Sequence, residues 1–334
     1  MIRDVSAVPP FRPFVAPRVH YEARPLPELL DDDRLLALFG FGAAAPACDD
    51  PRYLRVALEP LDGASLFECW RVDGAVTSGH AAGMRWSAGG GLLFAALDDI
   101  RDGGDIEAQA RHAYAGLAEL IGARPSRHVQ RLWNYLGDIN AGDGDDERYK
   151  RFCAGRARGM DGLFDDGFPA ATAIGHREGD APLQLYCLAA DATGTRVENP
   201  RQLSAWRYPR QYGPTAPSFA RAMRLPGDAV LAISGTASIV GHRSLHEDDL
   251  DAQLDETLAN LRALAAAGGF DGRLEHAVLK AYVRHAEHAG RVDAFLAHHL
   301  PNASRLLLAG DICRRELLVE IDGWLYGPGM GNGE

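Results

Sequence analysis

The order of predicted strands and helices occurs twice along this chain of 334 residues. Hydrophobic periodicity in the first half indicates a strand, a helix, a strand, a helix and two strands, over residues 91–97, 105–121, 128–135, 147–164, 170–174 and 183–189. The second half has the same six elements, over residues 228–234, 248–267, 274–283, 291–300, 304–308 and 317–321. The pattern predicts an α+β protein of two tandem α/β units, each with a mixed sheet packed against helices. Chance similarity between two ordinary α/β stretches is the alternative.

A polar stretch, residues 191–202, separates the two halves. It contains Gly194, Asn199 and Pro200, which are typical of a connection between folded units. We therefore predict an N-terminal extension of residues 1–18, a first domain of residues 19–192 and a second domain of residues 193–334.

Charge and composition exclude several classes of partner and cofactor. The formal net charge of −11 disfavours binding to nucleic acid or to an anionic membrane. The five cysteines form no CxxC pair, which argues against a disulfide framework and a thiolate zinc site. The glycines of residues 89–91 precede a strand and do not link a strand to a helix, so they are not a phosphate-binding loop. These patterns lead us to expect no metal and no cofactor. We expect a cytoplasmic location, because no apolar run could span a membrane and residues 1–18 lack the apolar core of a secretory signal.

The second half resembles the RidA/YjgF superfamily of small α+β domains, which have a chorismate-mutase-like fold. The matching pieces are Tyr212-Gly213-Pro214 before a strand, the strand 230–235, and a long helix with Asn260 near its end. The terminal strand, with the sequence ELLVEI over residues 316–321, also matches. The resemblance implies that both tandem units have this fold.

Four blocks make the chain as a whole resemble the chorismatases, also called chorismate lyase/3-hydroxybenzoate synthases. They are LWNYL with DIN over residues 132–140, ERY with Gly155-Arg156 over residues 147–156, ISGTASIVG over residues 233–241, and ICRR running into VEI over residues 312–321. The resemblance implies an enzyme that removes the pyruvyl unit of chorismate. Its products would be pyruvate and 3-hydroxybenzoate, alone or with 4-hydroxybenzoate. Because chorismate is already an activated enol ether, such an enzyme needs no cofactor.

Glu320 is the predicted general acid. In a strand its side chain lies on the face opposite to Val319 and Ile321. A carboxyl group among apolar strand residues has its charged form disfavoured, which raises its pKa towards the value that a general acid needs. The family resemblance assigns Glu320 the protonation of the enolpyruvyl group; a strand glutamate that points to water is the alternative. The strand 183–189 of the first unit has no equivalent acid, so one site per chain is expected.

Cys313 and Gly235 are the residues that the resemblance connects with the product. A cysteine together with a glycine at these positions resembles the members that form 3-hydroxybenzoate, whereas other residues there resemble members that only hydrolyse chorismate. A thiol could move a proton or guide the ring, and a glycine would leave space for the ring to shift. A buried packing role for Cys313 is the alternative.

The remaining candidates are substrate-binding residues. Arginine matches a carboxylate with two parallel hydrogen bonds, and chorismate has two carboxylates, which the resemblance assigns to Arg156 and Arg221. Tyr149, Tyr212 and Thr236 are candidate hydroxyl donors, and Asn134 is either a substrate contact or a structural residue.

With two fused units able to satisfy their own interface, we expect a monomer. The rivals are a chorismate hydrolase that forms a dihydroxycyclohexadiene carboxylate, a RidA-like enamine or imine deaminase, and a metabolite-binding module without catalysis.

Overall fold

The computed structural model describes residues 15–61, 63, 66–100, 105–164, 167–176, 182–227, 229–271 and 274–327. The first part of the chain forms β1 (Arg18–Glu22), α1 (Leu26–Leu30), β2 (Leu35–Phe41), β3 (Tyr53–Val56), β4 (Phe67–Arg71), β5 (Thr77–Ala81) and β6 (Met84–Gly89). The middle forms β7 (Leu92–Ile100), α2 (Ile106–Gly122), β8 (His128–Gly137), α3 (Arg148–Gly159), β9 (Ala170–His176), β10 (Leu183–Ala190) and β11 (Thr195–Val197). The last part forms β12 (Ala222–Arg224), β13 (Val230–Thr236), β14 (Ile239–Val240), β15 (Arg243–Ser244), α4 (Leu250–Ala267), β16 (Val278–Val283), α5 (Ala289–His299), β17 (Ser304–Ala309), β18 (Asp311–Ile312) and β19 (Val319–Tyr326).

The two predicted units have the same topology. The first sheet contains the strand order β6-β7-β10-β8-β9, and the second contains β12-β13-β19-β16-β17. Strand directions also correspond, because β8–β9 and β16–β17 are the parallel pairs and the other neighbours in both series are antiparallel. The predicted α+β class with mixed sheets is therefore confirmed, and the repeat in the sequence reflects a repeat in the fold.

A third sheet precedes the two units and was not predicted. Its strand order, β1-β4-β2-β3, has one parallel pair, β2–β3, beside two antiparallel pairs. The same order and the same strand directions occur in the series β7-β10-β8-β9 of the first unit and β13-β19-β16-β17 of the second. Only the five-residue α1 lies between its strands, so the alternation of strand and helix that reveals the other two units is missing from its sequence.

The inner faces of the three sheets meet in one aromatic core. The indoles of Trp70, Trp133 and Trp324, one from each sheet, have ring centroids 5.3–5.8 Å apart. The outer face of the first sheet is covered by α2 and α3, and that of the second by α4 and α5. Both long helices begin within two residues of their predicted starts. A side-chain oxygen of Asp105 caps α2, and one of Asp249 caps α4. No helix in the described ranges is long and apolar enough to cross a membrane.

Three element boundaries differ from the prediction by about four or five residues. The helix predicted over residues 147–164 ends at Gly159, the strand predicted over 274–283 begins at Val278, and the last strand continues to Tyr326. The domain boundary at residue 192 stays a prediction. Across it the two units are tightly joined, since the Ser234 hydroxyl on β13 accepts a hydrogen bond of 2.9 Å from the amide of Ala171 on β9.

Candidate active site

A cavity of about 1090 Å³, including the part that opens to solvent, lies between the two units. Elements α3 and β9 form its wall on the first unit, and β13, β19 and parts of the segments 208–221 and 313–316 form the opposite wall. Seven of the nine predicted site residues line it, namely Tyr149, Arg156, Tyr212, Arg221, Gly235, Cys313 and Glu320.

Glu320 lies on β19 with its carboxyl group towards the cavity. Its neighbours Val319 and Ile321 point to the other side of the sheet and pack in the core beneath α4, as strand alternation predicts. Burial and, after it, the negative charge of Asp322 raise the pKa of the Glu320 carboxyl to about 8, against the opposing effect of the guanidinium groups of Arg131, Arg221 and Arg314. The direction of this shift agrees with the prediction and favours the protonated form of Glu320 near neutral pH.

Gly235 on β13 lies directly beneath this carboxyl group. A Cβ atom at Gly235 would stand 1.8 Å from Glu320 Oε1 and 2.7 Å from its Cδ. The Gly235 amide donates a 3.0 Å hydrogen bond to Thr172 Oγ1 on β9, which fixes the backbone there. The sequence suggested that the missing side chain leaves room for the substrate ring, but the structure fills that room with the Glu320 carboxyl group.

Cys313 lines the cavity just after β18. Burial and the nearby Glu320 carboxylate raise the pKa of its thiol well above the usual value. The thiol therefore stays protonated near neutral pH, so it can donate a hydrogen bond but is a poor base. This corrects the expectation that Cys313 could both donate and accept a proton easily.

Arg221 provides a buried positive charge in the second-unit wall, beside β12. Its guanidinium donates to the Leu203 carbonyl at 2.8 Å and to the Tyr208 hydroxyl at 2.6 Å, and it lies 5.1 Å from the Phe219 ring centroid. Among the described residues it forms no ion pair, and its Nε has no hydrogen-bond partner. The Glu198 carboxylate accepts a 3.3 Å hydrogen bond from the Arg221 backbone amide, but a buried guanidinium that forms no ion pair in the described part of the chain is suited to binding an anion.

Arg156 lies across the cavity on α3. Gly155 and Gly159 let this helix touch α2, because a Cβ at Gly155 would stand 2.1 Å from the Glu107 carbonyl oxygen. The Arg156 guanidinium donates to the Ser218 carbonyl at 2.8 Å and lies 5.2 Å from the Tyr114 ring centroid. It too lacks a carboxylate partner within the described part of the chain, and its Nε is unpaired there.

Tyr149 and Tyr212 provide two hydroxyl groups. Burial raises the pKa of Tyr149 well above its usual value, so this hydroxyl is a proton donor at any physiological pH. The Tyr212 hydroxyl lies 3.3 Å from His242 Nδ1, and the Arg314 guanidinium lies 4.1 Å from the Tyr212 ring centroid.

Two predicted substrate contacts lie outside the cavity lining. Asn134 faces α2, accepts a hydrogen bond from the Tyr114 hydroxyl at 2.7 Å and donates to the Thr172 carbonyl at 3.0 Å. Thr236 donates from its hydroxyl to the Ser234 carbonyl at 3.0 Å and is buried. Both side chains are engaged by the protein, so the structure supports the structural interpretation of Asn134 and does not support substrate binding by Thr236.

Several lining residues were not predicted, and Thr172, Tyr208 and Arg314 are among them. Thr172 on β9 and Tyr208 carry no recognisable motif of their own, whereas Arg314 lies in the ICRR block beside Cys313 and could have been selected from it. Arg314 donates to the His242 carbonyl at 2.9 Å and to the Ser244 hydroxyl at 3.0 Å, which holds its guanidinium near the tyrosine rings. The described residues contain no group of three or more side chains that could hold a metal ion.

The first unit carries a neutral side chain at the position of the acid. Glu320 pairs with Tyr282 of β16, and the corresponding strand β10 has Gln184 opposite Tyr135 of β8. The Gln184 amide accepts from the Ala57 amide at 2.9 Å and donates to the Arg55 carbonyl at 2.8 Å. Of these two equivalent positions, only that on β19 carries an ionisable group.

Comparisons with known proteins agree on one family. Residues 68–189 match the family model described as "Chorismatase FkbO/Hyg5-like, N-terminal". A chorismatase of Streptomyces rapamycinicus is 36% identical over 333 residues, covering 93% of this chain and 98% of that protein. A 3-hydroxybenzoate synthase of Streptomyces hygroscopicus is 36% identical over 275 residues, covering 77% and 80%. The crystal structure of a chorismatase matches with a TM-score of 0.83 and 32% identity, covering 93% of this chain and 98% of the other.

Proposed function

This chain belongs to the chorismatases and is a chorismate-processing enzyme, and we propose that it forms 3-hydroxybenzoate and pyruvate in the cavity between its two units. The observation that carries the proposal is a buried glutamic acid with a pKa of about 8 that faces buried, unpaired guanidinium groups in one cavity. Chorismate carries two carboxylates and must be protonated on carbon. Its conversion therefore requires a protonated acid and positive charges in the same cavity.

Glu320 would begin the reaction as the general acid. Its proton goes to the methylene carbon of the enolpyruvyl group, and the electron pair of the enol double bond forms the new C–H bond. The pyruvyl carbon then carries positive charge stabilised by the ether oxygen. The bond from this oxygen to ring carbon 3 breaks with its electron pair on the oxygen, and pyruvate leaves with that oxygen as its keto group. The C4 hydroxyl oxygen bonds to the electron-deficient carbon 3, and its proton replaces the one that Glu320 donated. The epoxide opens at its bond to carbon 4, and the proton that carbon 3 loses is taken up by the phenolic oxygen, which gives 3-hydroxybenzoate.

Arg156 and Arg221 would hold the two carboxylates of chorismate. They come from different units, one on α3 and one just before β12, so a substrate bound to both bridges the two units. Arg221 belongs to the same unit as Glu320 and its charge acts on the Glu320 carboxyl, whereas Arg156 belongs to the first unit. We therefore assign Arg221 to the enolpyruvyl carboxylate and Arg156 to the ring carboxylate, with Tyr149 and Tyr212 as hydroxyl donors.

The assignment of 3-hydroxybenzoate rests on Cys313 and Gly235 and on the resemblance of this pair to 3-hydroxybenzoate-forming members. Conversion of chorismate to 3-hydroxybenzoate and pyruvate needs no net water, whereas hydrolysis adds one water and leaves a dihydroxycyclohexadiene carboxylate. The Cys313 thiol and the Glu320 carboxyl are both protonated before the reaction. Neither of them is then a base that could deprotonate a water molecule for hydrolysis. The relative named 3-hydroxybenzoate synthase also supports this product.

The test is product analysis after incubation of the purified protein with chorismate. We expect pyruvate and 3-hydroxybenzoate in equal amounts, measured by a coupled pyruvate assay and by chromatography. The Glu320→Gln variant keeps the shape of the side chain and removes its proton, so turnover should fall by about 10²–10⁴-fold with unchanged thermal unfolding.

Two results would contradict parts of the proposal. Equal amounts of pyruvate and a dihydroxycyclohexadiene carboxylate would establish the hydrolase alternative. A Glu320→Gln variant that retained a tenth of the wild-type rate would exclude Glu320 as the general acid. Glu119→Gln is the matched control, because it makes the same change at an exposed position of α2, and it should keep the wild-type rate.

A further inference from the structure

A second carboxyl group, Asp322, lies two residues beyond Glu320 on the same face of β19. It is completely buried, and it does not line the cavity. Its Oδ2 accepts hydrogen bonds from four side chains, which are Arg131 Nη2 at 3.0 Å, Trp133 Nε1 at 3.0 Å, Thr172 Oγ1 at 2.7 Å and Tyr282 OH at 3.0 Å. Four donors on one oxygen, a guanidinium among them, are the partners of a carboxylate and not of a carboxylic acid.

These donors come from three different strands, β8, β9 and β16, so they hold the Asp322 carboxylate in one place. Thr172 connects this carboxylate to the catalytic wall, because its Oγ1 also accepts the hydrogen bond from the Gly235 amide. The second oxygen, Asp322 Oδ1, is buried and has no hydrogen-bond partner among the described residues. An uncompensated oxygen of this kind increases the negative potential around Asp322.

The charges around Glu320 show what this carboxylate does. Arg131 on β8, Arg221 before β12 and Arg314 after β18 are positive and favour the ionised form of Glu320. Asp322 on β19 is the carboxylate that opposes them, together with burial, and the Cys313 thiol is uncharged near neutral pH. Without Asp322, three guanidinium groups would act on the acid with no compensating charge from its own strand.

We propose that Asp322 is a positioning residue for catalysis, whose fixed negative charge keeps Glu320 in its proton-bearing form and returns it to that form after each turnover. The proposal rests on the role of Glu320 as the general acid. When Glu320 donates its proton, two carboxylates lie two residues apart on one strand. Their repulsion favours the uptake of a new proton by Glu320, either the one that the C4 hydroxyl group of the substrate loses or one from water.

The test removes the charge of Asp322 and follows the protonation of Glu320 directly. The infrared C=O band of a protonated carboxyl group, assigned by its absence in Glu320→Gln, is titrated with pH in the full-length protein without substrate. The wild-type midpoint is expected near pH 8. In Asp322→Asn the loss of a like charge should move the midpoint to lower pH by about one unit or more, and the alkaline limb of kcat should move with it.

Tyr282→Phe is the matched control, because it removes one hydrogen bond to Asp322 Oδ2 and changes no charge. Its infrared midpoint should stay within about 0.3 pH unit of wild type, which a purely structural role of the network would not predict. If Asp322→Asn fails to fold because Arg131 loses its partner, the double variant Arg131→Met with Asp322→Asn replaces the buried pair. Its midpoint should lie below that of the single variant Arg131→Met, since these two proteins differ only in the charge of Asp322.

The outcomes separate this proposal from the assignment of the acid. An unchanged or raised infrared midpoint in the folded variant would overturn the role of Asp322, whatever the activity. A lowered midpoint without any change in the alkaline limb of kcat would support the effect of Asp322 on the Glu320 proton. The same result would show that Glu320 is not the general acid, which would overturn the catalytic part of the proposal.

Discussion

Replacing Gly235 with alanine tests whether this glycine acts by positioning the acid. The added Cβ would stand 1.8 Å from Glu320 Oε1, and carbon and oxygen atoms do not approach within 3.0 Å, so the carboxyl oxygen must move by more than 1 Å. Gly235 does not have a positive φ, so alanine fits its backbone. The atom that it meets is the flexible end of a side chain, and we therefore expect the fold and the melting temperature to be nearly unchanged.

The expected effect is on the reaction. A displacement of about 1 Å of a catalytic group can reduce the rate about 10²-fold, so pyruvate release should fall by about ten- to a hundredfold. The moved carboxyl group also crowds the cavity, so the product should shift from 3-hydroxybenzoate towards the dihydroxycyclohexadiene carboxylate or 4-hydroxybenzoate. The measurements are the rate of pyruvate formation and the product distribution by chromatography at matched conversion.

Two comparisons make the result decisive. Gly290→Ala is the matched control, because a Cβ at this helical position of α5 meets no atom within 4 Å, and it should behave as wild type. In the Glu320→Gln background, Gly235→Ala should cause little further loss of rate if both changes act on the same group. A Gly235→Ala enzyme with the wild-type rate and the wild-type product distribution would refute the argument.

The remaining predictions concern the other cavity residues. Arg221→Ala should raise KM for chorismate by about tenfold or more, because a hydrogen bond to a charged group contributes about 1.5–3 kcal/mol. Tyr212→Phe should raise KM only mildly. A KM within twofold of wild type for Arg221→Ala would remove the assignment of Arg221 to a substrate carboxylate. Cys313→Ala should keep pyruvate release, since Glu320 still donates the proton, and should move the product away from 3-hydroxybenzoate. A wild-type product distribution at the wild-type rate would reduce Cys313 to a packing residue.

The sequence predicted the two units because their helices are long, amphipathic and capped. Asp105 and Asp249 mark the beginnings of α2 and α4 within one residue of the structure. The third sheet could not be predicted in the same way, since β2 is buried at every residue and therefore lacks the alternation of a half-buried strand. Its relation to the other sheets appears only in the pairing of its strands.

Some of the cavity residues could be predicted from the sequence, and others could not. Alternation along β19 predicted the direction of Glu320, because that strand is regular at this point. Thr236 was predicted as a donor only because it stands at the end of its strand, and the sequence does not show that its hydroxyl donates to the Ser234 carbonyl. The Asp322 network could not be found from sequence, because its donors come from three strands that are far apart in the chain.

The repeat also explains why a duplicated fold has one predicted acid. At Gln184 the backbone of β3 and the segment after it offers one acceptor, the Arg55 carbonyl, and one donor, the Ala57 amide. An amide side chain satisfies both without a proton being bound, whereas an ionised carboxylate cannot donate to a carbonyl. At the corresponding position of the second unit the Glu320 side chain faces the cavity, so its carboxyl group can keep its proton for the substrate.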